Sequence, residues 1–164
     1  MRSTVLAALS AAAGVVYALG AGASEPGKPV DPAMFSGRWY QLGRMGADAP
    51  RPCPAATEDF ASGGRGVNVT VICHPAGGGG DTYHGRLAII PGSADAKFKL
   101  QFFGGLVSRE YWTMNHAGEW ALTMTPGGRT LYLMARHPAL AASERAAAVA
   151  AIRALGFDPA GMRP

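Results

Sequence analysis

The side chains able to do chemistry are few in this chain, and their spacing argues against catalysis. His74, His84, His116 and His137 fall in turn-like segments or at strand ends, and none stands at metal-ligand spacing from another. Each reads as a solvated surface histidine. Glu58 and Asp59 are adjacent, so in a strand they point to opposite faces and cannot work as an acid/base pair. No activated nucleophile is evident. The chain is therefore expected not to be an enzyme and to need neither metal nor cofactor. Cys53 and Cys73 lack a C-x-x-C pattern and a nearby histidine cluster, which leaves a disulfide as the better reading.

The other chemistry the sequence offers is apolar contact at period two. Lys97-Phe98-Lys99-Leu100-Gln101-Phe102 alternates strictly, placing Phe98, Leu100 and Phe102 on one face. Tyr83, Gly85, Leu87 and Ile89 form a second such row, and Val67, Val69 and Val71 a third. Strands are predicted over 38–45, 55–61, 66–73, 82–90, 97–103, 109–115, 120–125 and 130–136, separated by Gly- and Pro-rich breaks. A hairpin centred near Gly64 brings 53 close to 73, so a disulfide there closes its open end. Residues 143–155 are alanine-rich and carry Val149, Ile152 and Leu155 at helical spacing. Ser143 and Glu144 open this segment as cap and first-turn acid, and Gly156 ends it. An antiparallel sandwich or barrel with one helix packed outside follows.

Composition agrees. The chain has 164 residues, of which 48% are apolar and 16% charged. Its 23 glycines and 12 prolines are too many for a helical bundle, and they show no collagen period. A net charge of +4 is too thin for a nucleic-acid-binding protein, so no such partner is expected. Part of the low charge sits at the N-terminus, where a basic start, an apolar run over 5–19 and Ala21-Gly22-Ala23 have the layout of a signal peptide. Residues 1–23 are read as that signal, cleaved before Ser24, and residues 24–164 as one exported domain. The run is short for a bilayer span and no cysteine follows it for lipidation. Periplasmic or secreted localisation is the expectation.

Phe35-Ser36-Gly37-Arg38-Trp39-Tyr40 resembles the opening Gly-x-Trp-Tyr motif of the lipocalins. Leu131-Tyr132-Leu133-Met134-Ala135-Arg136 resembles their last strand with its terminal arginine. Glu110-Tyr111-Trp112-Thr113-Met114, Glu119-Trp120-Ala121-Leu122 and Leu155-Gly156-Phe157-Asp158 are similar to segments of the bacterial lipocalin and apolipoprotein D branch. The resemblance covers residues 32–160. Gln41 and Gly43 depart from it, standing where close bacterial relatives carry glutamate and alanine, and Asn115-His116-Ala117-Gly118 replaces a Thr-Asp-Tyr turn.

The resemblance implies an all-β fold, an eight-stranded antiparallel up-and-down barrel with one flanking C-terminal helix. It also implies that Gly37, Trp39 and Arg136 are structural, with Trp39 plugging the narrow end and Arg136 packing across it. Strand phase then turns Tyr83, Leu87, Phe98, Leu100, Phe102, Tyr111, Thr113, Thr123, Tyr132 and Met134 toward the interior. Such a pocket would take a small hydrophobic ligand such as a fatty acid or lysophospholipid. The same side chains could instead simply fill the barrel. Other readings are a protein-interaction or inhibitor barrel, with rims at 49–54 and 104–107, and a lipid-modifying enzyme. Leu106 and Val107 would be exposed near an opening, where a transient membrane-surface contact is conceivable. A monomer or weak dimer is expected.

Overall fold

The computed structural model describes residues 25–46, 53, 55–63, 66–75 and 77–164. The segment read above as a signal peptide, 1–23, lies outside the described residues, as does the expected 49–54 rim apart from Cys53. Eight strands form a closed barrel: β1 (Gly37–Gly46), β2 (Ala56–Gly63), β3 (Gly66–Cys73), β4 (Thr82–Ile89), β5 (Lys97–Phe102), β6 (Val107–Ala117), β7 (Trp120–Met124) and β8 (Thr130–Ala135). Each strand pairs antiparallel with the next, and β8 closes on β1. Helix α1 (Ala142–Ala154) follows and packs on the outer face of β7.

Local chemistry moves some predicted boundaries. The β2–β3 hairpin turns between Gly63 and Gly66 and pairs Ala56 with Cys73, so the expected register is right to within one residue. Strand β5 stops at Phe102, because Phe103 adopts a positive φ of 51° and begins a short 3-10 turn. Strand β6 is longer than expected and runs through Asn115, His116 and Ala117, which reduces the predicted turn to Gly118 and Glu119. Ser143 is not the helix cap. The helix begins at Ala142, and the Ala141 backbone N–H donates to Glu144 Oε2 at 3.2 Å. Its buried stripe is Ala148, Ala151 and Ile152 rather than the larger residues alone.

Apolar side chains divide into two layers. Inside the barrel, Phe35, Trp39, Phe60, Val69, Leu87, Phe98, Leu100, Ala121, Tyr132 and Met134 pack together. Outside, Met45, Met114, Trp120, Leu122, Met124, Leu131, Leu133 and Ala135 meet Leu140, Ala148, Ala151 and Ile152 under the helix. Alternation explains the division: on β8 the odd residues face the helix and the even ones the interior.

A register shift between Gln41 and Gly43 breaks that alternation on β1. Leu42 joins the outer layer, and Gly43 faces Met162 from the C-terminal segment, so closely that an added Cβ would clash. Trp39 and Gln41 before the shift therefore face inward, and so does Arg44 after it. The C-terminal segment completes this contact with an isolated bridge between Arg44 and Arg163.

Candidate functional site

The Trp39 end of the barrel is built first by the chain that leads into β1. Asp31 caps a 3-10 turn over Pro32–Phe35 by accepting from Ala33 N–H at 2.9 Å. That turn presents Phe35 inward and its carbonyl to Trp39, whose indole N–H donates to it at 3.2 Å. The Arg136 guanidinium lies 4.2 Å from the Trp39 ring centroid. It also donates to the carbonyls of Met34 (2.5 Å), Ser36 (2.6 Å) and Arg38 (3.2 Å). Gly37 has φ +89°, and a Cβ on it would sit 3.3 Å from Arg136 Nη1, so glycine serves both the backbone and the close approach. These contacts make a floor.

Above the floor is a cavity of about 150 Å³. Its walls include Phe35 and Trp39 at the base, Phe60, Phe98, Leu100 and Met134 along the sides, and Cys53 and Cys73 at the far end. The two cysteines are joined, with Cα atoms 5.0 Å apart, and tie the segment before β2 to the end of β3. Four rings form a continuous aromatic wall. Phe35 meets Phe98 edge-on at 5.0 Å, Phe98 stacks on Tyr111 at 5.8 Å, and Tyr111 meets Tyr132 edge-on at 6.0 Å.

Of the residues the sequence assigns to the interior, Phe98, Leu100, Tyr111, Thr123, Tyr132 and Met134 come together on this wall. Leu87 is buried in the inner layer, and Phe102 packs against that layer over Gly85. Neither is among the lining residues. Thr113 is fully buried in the strand wall, its hydroxyl without a hydrogen-bond partner among the described residues. Tyr83 lies near the β5–β6 turn, its ring edge-on to Phe103 at 6.4 Å and its hydroxyl donating to Asp81 at 3.4 Å.

Three polar side chains escaped the sequence reading: Gln41, Arg44 and Glu58 also line the cavity. The signal for Glu58 was present. Ala56, Glu58 and Phe60 share one face of β2, which sets a carboxylate in an apolar row. Alternation does separate Glu58 from Asp59. Asp59 faces outward and accepts a two-point contact from Arg38 at 2.7 Å, which holds its carboxyl below the usual range. Glu58 makes no such pair among the described residues, and burial pushes its carboxyl up to about 7. Burial likewise raises the phenols of Tyr111 and Tyr132; Glu58 reinforces both shifts and Arg109 opposes them, with Arg44 also opposing at Tyr132. The Gln41 amide nitrogen is buried and has no hydrogen-bond partner among the described residues.

The histidines do not converge on this site. His74, His84 and His137 are exposed, and half-buried His116 faces the Pro29 carbonyl at 3.2 Å. No group of three or more metal-binding side chains occurs among the described residues. Around the β5–β6 turn, Phe103, Leu106 and Val107 are exposed, Leu106 at 89%.

Residues 30–164 match the family model of the lipocalin-like domain. No curated protein sequence matches the chain. Among solved structures, insecticyanin from the tobacco hornworm Manduca sexta is similar with a TM-score of 0.71 at 12% identity, covering 84% of this chain and 81% of its own. The cockroach allergen Per a 4 gives 0.66 at 15%, covering 87% and 90%. A biogenic amine-binding protein gives 0.62 at 12%, covering 84% and 82%. At these identities the likeness is one of fold.

Proposed function

From the premise that this chain belongs to the lipocalin-like family, we propose that it is an exported carrier that holds a small hydrophobic or amphiphilic molecule inside the barrel. The observation that supports this most is the aromatic-walled cavity between the Trp39 floor and the Cys53–Cys73 disulfide. A ligand removing on the order of 200 Å² of apolar surface from water gains about 5 kcal/mol before the costs of association. Fatty acids and lysophospholipids are the first ligands to test. The cavity is about the size that holds a benzene-sized molecule in an apolar core, so a long acyl chain would extend past the disulfide end. The exposed Leu106 and Val107 would meet a membrane surface during loading. Export rests on the N-terminal segment and on a disulfide suited to an oxidising compartment.

The test is to incubate the purified protein with a bacterial lipid extract, wash it, and identify what stays bound by mass spectrometry. One retained class, lost when Leu100→Trp fills the cavity in a variant that still unfolds cooperatively, supports carriage. No retained molecule, together with no quenching of tryptophan by a fluorescent fatty acid, removes it.

A further inference from the structure

The cavity has a polarity along its length. On β1, Trp39 belongs to the floor, while Arg44 lies five residues further toward the opposite end, in register with Tyr132. Glu58 pairs with Trp39 across the β1–β2 ladder, and both side chains line the cavity. The acid is therefore beside the floor and the base is nearer the far end. A carboxylate at the floor is the reverse of what a tail-first amphiphile needs. An acyl chain entering by its methyl end would rest its apolar tip against Glu58, and a carboxylate entering head-first would meet a like charge.

Resting on the carrier reading above, we infer that the cavity selects a small amine: a single aromatic ring or short alkyl chain whose ammonium enters first and donates to the Glu58 carboxylate. Three observations converge on it. Glu58 faces the cavity without a hydrogen bond or ion pair among the described residues. The Tyr111 and Tyr132 rings stand on the same wall, and such faces attract a cation. The volume, about 150 Å³, suits one ring rather than a diacyl lipid. The unpaired Gln41 amide would donate to a hydroxyl or ether oxygen on the same ligand. The charged and titratable groups facing Glu58 are Tyr111 on β6 and Tyr132 on β8, with Arg44 on β1 and Arg109 on β6 acting on those phenols. Burial keeps part of the Glu58 population protonated near neutral pH, so ammonium binding strengthens as the pH rises above 7.

Phenethylamine and n-octylamine would be titrated calorimetrically against 3-phenylpropionate, octanoate and n-octanol at about pH 6 and pH 8. The wild-type protein is expected to bind each amine at least ten-fold more tightly than its matched carboxylate at pH 8, with the preference shrinking at pH 6. Glu58→Gln, checked for cooperative unfolding, should lose that preference. The inference is overturned if octanol binds while the amines gain nothing over the acids, and equally if Glu58→Gln keeps the amine preference. If no probe binds at either pH, the carrier reading falls and takes this inference with it. The wild-type pH series decides the matter even if the variant does not fold.

Discussion

Raising the pH from 5 to 8 should destabilise this protein through a single side chain. Glu58 titrates near 7 when folded, against 4.5 for an ordinary glutamate. At pH below 4.5 the carboxyl is neutral in both states and contributes no penalty. Between 4.5 and 7 the unfolded chain gives up its proton while the folded one keeps it, so folding becomes progressively less favourable. Above 7 the full difference is present, about 3 kcal/mol from the two values. Contact with the cavity rather than a dry core trims the expectation to about 2 kcal/mol. For a domain of this size that is a fall in Tm of about 5–10 °C. The assay is thermal unfolding by circular dichroism at half-unit pH steps, comparing wild type with Glu58→Gln. The wild-type curve should fall over this window and the glutamine curve should stay flatter, crossing above it near neutrality. If the two run parallel from pH 5 to 8, Glu58 is not held in the environment described, and the polarity of the cavity is wrong with it.

Arg136→Ala removes three donated hydrogen bonds and the contact with Trp39 together, and should cost about 3 kcal/mol in chemical denaturation. Arg136→Lys should recover less than half, since one compact ammonium lacks the two spaced nitrogens that reach these carbonyls and the flat face that lies over Trp39; full recovery would show that charge alone matters. Gly46→Ala should abolish folding, because its φ is +113° and the new Cβ would collide with the Arg129 carbonyl; a soluble, cooperatively unfolding variant would contradict that packing. Free thiols under denaturing, non-reducing conditions should be near zero, and reduction should lower stability by about 3 kcal/mol for a loop spanning 20 residues. An unchanged unfolding midpoint after reduction would refute the second half.

The barrel was legible in the sequence because its cue is local. Each strand carries its own period-two row, and the phases of Phe98, Leu100, Tyr132 and Met134 survive into the structure unchanged. Boundaries moved where backbone conformation outranked pattern, as at Phe103, or where pairing with a partner strand extended an element through polar residues, as at Asn115–Ala117. The candidate site was only half legible. Arg44 escaped because its inward direction depends on the shift between Gln41 and Gly43, and that shift depends on β8 and on Met162 far along the chain. Glu58 escaped for another reason: the pairing rule that excluded it as half of a catalytic dyad left its other use, as a solitary charge in an apolar row, unconsidered.

The two apolar layers have a consequence for how the barrel can breathe. Strands β7 and β8 are buried on both faces, by the interior on one side and the helix layer on the other. Strands β3 and β4 have only the interior behind them, and their outward residues, among them Asn68, His84 and Arg86, meet solvent. Amide exchange should therefore be graded around the circumference, slowest at Leu122 and Leu133 and fastest across the β3–β4 ladder. The less covered arc is also the one whose end the Cys53–Cys73 bridge ties down. Local opening should begin on that arc while the helix-backed strands hold their register.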